Sequence, residues 1–355
     1  MMAGGITVKS ESVQPFLSRL FSRAGLPVDH AETMAENLYE AELRGVYSHG
    51  LSLVKGYAGN IASGTVNRNP DIKTLRESAS TLLIDGDFAP GSTLGGYAMR
   101  RCLEKAAETG FASASVKRAC HFGMAAFYSM MALERDMIGI ALCTSGVNMA
   151  VYGGSTRVLG TNPISVAVPA GERLPIVYDG ATSHAAFGKI FAASRNGETI
   201  PEGWALSDDG KATTNAAEAV RGMMIPFGDY KGSGLAVIVS VLSAVLSGAD
   251  AFTGYAAGKQ DSGAGEGIGF FFAALDIAKL RDVGVFKRDI DTLIDGLKSS
   301  RKRPGFGDEI YMPGELEFRR REQNLKNGIT ISKQLFEELG QTAAEFGVNE
   351  GLKRA

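Results

Sequence analysis

Three features of this 355-residue chain predict an α/β fold: a β-α-β rhythm through its middle, amphipathic helical segments at its two ends, and short β-rich runs between them. Alternating strands and helices each carry an apolar face that must be buried, so they stack as a sheet covered by helices. The length exceeds one typical domain and calls for two or three lobes.

Val13, Phe16, Leu17, Leu20 and Phe21 recur at helical spacing and stop at Gly25; Ala31, Met34, Ala35 and Leu38 repeat the pattern as far as Gly45, with Asp29 as the expected N-cap. Residues 80–85 read as a strand closed by the turn-forming Asp85-Gly86-Asp87. Met99, Cys102, Leu103 and Ala106 line a helix that Gly110 ends. Residues 111–116 then read as strand, 124–134 as helix and 137–143 as strand, which is the β-α-β rhythm itself. Residues 164–168 and 176–178 are further β-rich runs, and 268–275 is another strand. Residues 235–246 form an apolar run too short for the roughly 20 residues a bilayer span needs, and read as a buried helix between Lys231 and Asp250. Two closing helices are marked by Ile290, Leu293, Ile294 and Leu297, and by Leu335, Phe336, Leu339, Ala343 and Phe346. Residues 258–269, with five glycines, read as a mobile loop or a connection between lobes.

Composition removes several function classes. Lys+Arg number 37 against 39 Asp+Glu, a net charge of -2, which leaves no electrostatic footprint for nucleic acid or an anionic membrane. Cys102, Cys120 and Cys143 show neither CxxC nor zinc-ligand spacing, so they read as reduced core-filling thiols of a cytoplasmic protein, and no metal site is expected. Residues 1–9 lack the apolar core of a signal peptide.

Histidine is scarce, four in the whole chain, and His49 sits in a patterned turn, Arg44-Gly45-Val46-Tyr47-Ser48-His49-Gly50-Leu51, just past a packed helix. Imidazole titrates near neutrality, so a rigidly held histidine can exchange a proton with a substrate oxygen; the plainer reading is a ring spent on local hydrogen bonding. A second glycine-flanked histidine, His121, lies in Cys120-His121-Phe122-Gly123. No G-x-G-x-x-G occurs among 45 glycines, which argues against an ordinary Rossmann site. Pyrophosphate needs only backbone N–H groups, helix N-termini and a cation, however. Asp179-Gly180-Ala181-Thr182-Ser183 supplies small residues and hydroxyls, as any helix N-cap would. Tyr230-Lys231-Gly232-Ser233-Gly234 puts an ammonium at the start of the apolar helix, where an exposed lysine would sit as well.

Taken together, residues 44–51, 121–123, 152–171, 179–190, 226–236 and 312–315 resemble, in order and over nearly the whole chain, the malate/L-lactate dehydrogenase family that is separate from Rossmann-type lactate dehydrogenases and includes ureidoglycolate, sulfolactate, diketogulonate and piperideine-carboxylate enzymes. The resemblance implies a non-Rossmann nicotinamide-dinucleotide-binding α/β domain with a mixed sheet over 119–300, and a helical substrate and dimerisation lobe from 1–118 and 301–355. It implies a homodimer and hydride transfer between NAD, or NADP, and a small 2-hydroxy or 2-oxo acid; a cyclic imino acid or sugar-derived keto acid is the alternative substrate. His49 becomes the proton donor and acceptor, Ser48 its orienting neighbour, and His121 the rival acid/base near the reacting carbon. The cofactor would touch His121, Asp179, Gly180, Ala181, Thr182, Ser183, Tyr230, Lys231, Gly314 and Glu315, with Glu315 able to hold a ribose hydroxyl. Thr144 and Asn162, the latter on the proline-stiffened turn Gly160-Thr161-Asn162-Pro163, would face the substrate.

A substrate carboxylate calls for a cation, and arginine's fork suits it best. Many family members carry arginine four residues after this histidine, where this chain has Leu53; Arg44, Lys55 or Arg157 must substitute, Arg44 first because it shares the turn. A hydrolase built on Ser48 and His49 is disfavoured, since adjacent side chains ordinarily diverge and no G-x-S-x-G elbow surrounds Ser48. A non-catalytic nucleotide or metabolite sensor is the third reading, against which stand His49, Asp179 and Lys231 together.

Overall fold

The computed structural model describes residues 5–249, 267–307 and 309–355. Strands β2 (Lys73–Glu77), β3 (Thr81–Ala89), β4 (Phe111–Ala119), β5 (Met137–Cys143), β8 (Ile164–Val168), β9 (Ile176–Gly180) and β13 (Ile268–Asp276) form one mixed sheet in the order β2-β3-β4-β13-β5-β8-β9. Only β3 and β4 run parallel, joined by the crossover helix α4 (Gly91–Thr109). A long return from elsewhere in the chain inserts β13 between β4 and β5, antiparallel to both. On this sheet Met99, Cys102, Leu103 and Ala106 of α4 pack with Tyr128, Phe270 and Phe272 into one core, and Gly110 ends α4 in a left-handed conformation as its sequence position predicts.

A helical layer built from both ends of the chain stands beside the sheet. Helices α1 (Val13–Ala24), α2 (Val28–Leu43) and α3 (Val54–Ala62) share a core with α11 (Lys333–Glu345) and with the strand pair β1 (Ile6–Val8) and β14 (Ile329–Ile331). Phe16 and Phe21 are fully buried there, each worth about 1.5–3 kcal/mol over exposure. A smaller sheet in the order β11 (Ala212–Thr213), β10 (Ala205–Leu206), β12 (Met223–Met224), β6 (Val147–Ala150), β7 (Arg157–Gly160) carries α6 (Phe187–Asn196) and α7 (Ala216–Arg221).

Several expectations change. The expected division between 118 and 119 falls inside β4, which pairs along its length with β3 and β13, so 73–118 belongs with the sheet and not with the helical lobe. Pro27 caps α2 and Asp29 lies in its first turn. The segment 124–134 is a single α-helical turn, α5 (Ala125–Ser129), continued as a 3-10 helix. The 235–246 run is no buried helix: α8 (Tyr230–Ser240) and the π-turn after it bury the small residues Gly232, Ser233, Ala236, Ser240, Ser243 and Ala244, while Leu235, Val237, Ile238, Val241, Val245 and Leu246 are exposed. The packing is close where the run meets the sheet: a Cβ on Gly269 of β13 would lie 2.0 Å from the Ser243 carbonyl oxygen, and Val239 is the one larger aliphatic side chain of α8 that is buried. In α9 (Val283–Lys298) Ile294 is buried but Leu293 and Leu297 are exposed. Asp250 and most of the 258–269 glycine loop lie outside the described residues; Gly269 itself belongs to β13.

Candidate active site

Helix α2 ends at Arg44, and a 3-10 turn, Tyr47–His49, follows it. The turn faces the segment between β4 and α5 that carries His121, and the imidazoles of His49 and His121 stack with centroids 5.8 Å apart and planes 14° from parallel. The structure thus joins the two histidines that the sequence singled out 72 residues apart.

Their hydrogen bonds differ in how firmly they fix the ring proton. Nδ1 of His121 accepts from the Tyr57 hydroxyl at 2.5 Å and from the Gly123 N–H at 3.3 Å. The amide can only donate, so Nδ1 is an acceptor and the proton of the neutral ring sits on Nε2. Burial, with the neighbouring His49 adding to it, pushes His121 down to about 3, so this ring stays neutral and presents an N–H. His49 has Nδ1 2.9 Å from the Ser48 hydroxyl oxygen, an exposed group that can accept the Nδ1 proton and leave Nε2 as a base. Burial lowers the His49 pKa as well. The expectation that Ser48 and His49 point apart fails, because the 3-10 turn tightens the backbone enough for adjacent side chains to meet. Tyr57 was missed by sequence reasoning; the signal was its position one helical turn beyond Leu53, on the helix that follows His49. Cys120 is no nucleophile: its buried thiol faces the Phe88 carbonyl and burial pushes it up to about 12.

The expected substrate ligands behave otherwise. Arg44 is buried, with its guanidinium 4.2 Å above the Phe318 ring on α10 (Glu315–Asn327) and Nη2 without a hydrogen-bond partner. Its electrostatic partners are Glu40, Glu317 and Asp179, which groups it with β9 and α10. Arg157 spends its guanidinium on the carbonyls of Val220, Arg221 and Gly222 at the end of α7. Lys55 is exposed and has no ion-pair partner among the described residues, and Leu53 packs into the helical-layer core. Asn162 is fully buried and donates both amide protons, to the Ala236 carbonyl and the Ser240 hydroxyl, while its oxygen accepts the Ser145 N–H. It braces α8 to the sheet and has no donor left for a substrate. Thr144 is buried too, its hydroxyl bridging the N–H and C=O of Gly269.

Two of the expected cofactor segments meet directly, and the third packs against β9. Phe227 N–H donates to the Thr182 carbonyl at 3.0 Å, and a Cβ on Gly232 would lie 2.8 Å from that same oxygen. On the other side of β9, Gly314, at φ 84°, brings Pro313 against Val177. Gly188, just beyond this region, lies against Ser48, which connects it to the histidine turn. The Asp179 carboxylate accepts the Ala126 N–H at 2.7 Å, and desolvation on that side pushes it up to about 6 although the residue as a whole is exposed.

Side-chain roles there are mostly spent. The Thr182 hydroxyl donates to the Thr161 carbonyl and the Ser183 hydroxyl to the Ala185 carbonyl. The first-turn N–H groups of α8 at Lys231, Gly232 and Ser233 donate to carbonyls of 227–229, so the helix start offers no bare amides at those positions. Both Glu315 oxygens are engaged, with Lys298, Arg319 and the Met312 N–H, so a ribose hydroxyl would have to share them. Left open are Asp179 at the end of β9, the exposed Lys231, which has no ion-pair partner among the described residues, and an edge-to-face pair of exposed rings, Tyr152 and Tyr230, with centroids 6.3 Å apart. An ammonium and exposed aromatic rings are the groups that suit a ligand with phosphates and flat bases.

Comparison with known proteins gives the family and the fold. The profile of the malate/L-lactate dehydrogenase family matches residues 8–340. A malate dehydrogenase of Pyrococcus horikoshii is 38% identical over 98% of this chain and 97% of its own length, and an L-sulfolactate dehydrogenase of Methanocaldococcus jannaschii is 36% identical over 96% and 98%. A delta(1)-pyrroline-2-carboxylate reductase of Ancylobacter novellus is 32% identical over 89% and 91%. The solved Pyrococcus horikoshii malate dehydrogenase superposes with a TM-score of 0.89 over 98% of this chain and 97% of its own.

Proposed function

We propose that this chain, which belongs to the malate/L-lactate dehydrogenase family, moves the substrate proton through His49 while His121 holds the reacting oxygen. The reaction is hydride transfer on a small 2-hydroxy or 2-oxo acid with a nicotinamide cofactor. The observation that carries the residue assignment is the stacked pair of histidines, of which His121 has Nδ1 fixed as an acceptor by the Gly123 N–H while His49 meets only the Ser48 hydroxyl, a group able to donate or accept. Two equivalent bases would compete for one proton, whereas one base and one fixed N–H divide the work.

When bound, the cofactor accepts or gives the hydride at the substrate's C2. Asp179, Lys231 and the Tyr152–Tyr230 pair would hold it, and the preference of Lys231 for a phosphate does not choose between NAD and NADP; NAD is the working assignment. In the oxidation direction, His49 Nε2 removes the hydroxyl proton as His121 Nε2–H steadies the same oxygen. Because His49 titrates below its ordinary value, it is already the free base at neutral pH. In the reduction direction it must first be protonated, so reduction gains from lower pH. Tyr57 keeps the His121 proton on the substrate-facing nitrogen, a role that needs its hydroxyl and not only its ring. Lys55 is the proposed carboxylate partner, being the one of the three expected cations that is left exposed and unpaired among the described residues.

Homodimerisation is proposed through the outer face of α8, where six aliphatic side chains are exposed on one short segment. No helix among the described residues is long and apolar enough to cross a membrane, and the three free buried cysteines support a reducing, cytoplasmic setting. The similarity to a pyrroline-carboxylate reductase supports the second substrate class, a cyclic imino acid whose nitrogen takes the proton. Reduced-nicotinamide absorbance, read with NADH and NADPH against oxaloacetate, pyruvate, sulfopyruvate and pyrroline-2-carboxylate, tests the proposal. Turnover with one acid that disappears in His49→Ala supports it; undiminished turnover in His49→Ala removes His49 from the role.

A further inference from the structure

Two buried polar side chains on α2 remain after the site has been assembled, and each meets one histidine segment in the same way. The Glu42 carboxylate accepts the Leu51 N–H at 2.8 Å, two residues after His49. The Asn37 amide oxygen accepts the Met124 N–H at 3.2 Å, three residues after His121. A glycine lies directly against each acceptor: a Cβ on Gly50 would stand 2.2 Å from Glu42 Oε2, and one on Gly123 would stand 2.2 Å from Asn37 Oδ1. Both side chains are almost wholly inaccessible to solvent. We infer that α2 acts as a ruler, with Glu42 and Asn37 as positioning residues that fix the two histidine turns against one rigid helix and so set the spacing of the His49 and His121 rings.

The inference rests on the reading of those rings as the site, and adds what holds them. The two turns come from different parts of the chain, and the side-chain bond from Tyr57 to His121 is the one hydrogen bond already described that links them, so it holds the His121 ring without fixing the backbone of either turn. A shared helix does, because positions five apart on α2 keep a constant separation. The glycines explain themselves as well: any side chain at 50 or 123 would push its turn off the acceptor. Glu42 accepts this cost without an opposing charge at hand; burial raises its pKa to about 7 and only the Leu51 N–H counters it. An apolar residue would fill the space more cheaply, so the carboxylate is retained for what it holds. Asn37 is tied down from its other end, its Nδ2 donating to the Tyr128 hydroxyl.

The test uses the full chain with 13C-labelled histidine, whose four side chains can be titrated individually by NMR without knowing the substrate. Glu42→Ala is expected to move the His49 titration up towards 6.5 and Asn37→Ala to move that of His121, each with a fall in kcat/KM of about tenfold or more and little change in cofactor affinity. Glu42→Gln, which keeps an acceptor oxygen at the same reach, restores both readouts. Where Glu42→Ala does not fold, Glu42→Asp shortens the same reach and gives the same comparison. Histidine titrations that stay in place while only the melting temperature falls would overturn the inference and leave the two residues as ordinary core. His49→Ala in the same assay separates the failures: if it keeps turnover, the site reading falls; if it loses turnover and the α2 variants do not, only the ruler falls.

Discussion

The histidine turns and the segments around β9 are both rich in glycine and small polar residues, yet they use them in opposite ways. At His49 and His121, ring nitrogens remain for chemistry and other residues, Tyr57 and Ser48, supply the orienting hydrogen bonds. Around β9, the hydroxyls of Thr182 and Ser183 and the amide of Asn162 are turned inward onto backbone and neighbouring side chains. Polar residues in a motif can therefore act through their own atoms or through the path they impose on the chain. Only hydrogen-bond accounting tells the two apart.

That contrast can be broken at its strongest point first. His49→Ala should lower kcat/KM by about 10²–10⁴-fold, the usual worth of general acid–base catalysis, with cofactor binding unchanged by fluorescence titration. Tyr57→Phe keeps the packing and leaves the Gly123 N–H as the remaining donor to His121 Nδ1, so the hold on the ring and its tautomer weakens; steady-state kinetics should show kcat down about tenfold with a smaller change in KM. Lys231→Met should weaken cofactor binding about five- to tenfold, more at low salt than at high, because its ammonium is exposed. Thr182→Val should do least to catalysis: loss of one buried hydrogen bond costs about 1 kcal/mol in chemical denaturation, while kcat stays near that of the parent. Had Thr182 served the cofactor directly, the order of the last two would reverse. A separate check concerns the outer face of α8, where Ile238→Glu should convert a dimer to a monomer in sedimentation experiments.

Much of the fold was legible because helical and strand periodicity report burial. The α1 positions Phe16, Leu17, Leu20 and Phe21, and the α4 positions Met99, Cys102 and Leu103, are all buried as their spacing predicts. The same reasoning failed at 235–246, since an apolar run shows only that water is to be excluded, and not whether this chain or another body excludes it. The makeup of the large sheet was hidden because β13 reaches it from far along the chain, and pairing at that range leaves no local mark. Within the site, scarcity made the histidines conspicuous. Tyr57, Asn37 and Glu42 were hidden because a tyrosine or a polar residue on an amphipathic helix looks ordinary until its partner 64 or more residues away, or across a turn, is seen. The surroundings of Arg44 were hidden for the converse reason: adjacency in sequence pointed only to the histidine turn, whereas the C-terminal end of α2 also sets its guanidinium over Phe318.

The central claim is that His49 is the base and His121 a permanently neutral donor, and the pH dependence of kcat/KM for hydroxy-acid oxidation tests it most directly. Since kcat/KM reports groups of the free enzyme, the account predicts one acid-side limb: activity falls as pH drops through a pKa below 6.5, is flat above it, and loses this limb in His49→Ala. A limb that survives unchanged in His49→Ala, and vanishes in His121→Ala instead, would contradict the assignment and exchange the two roles.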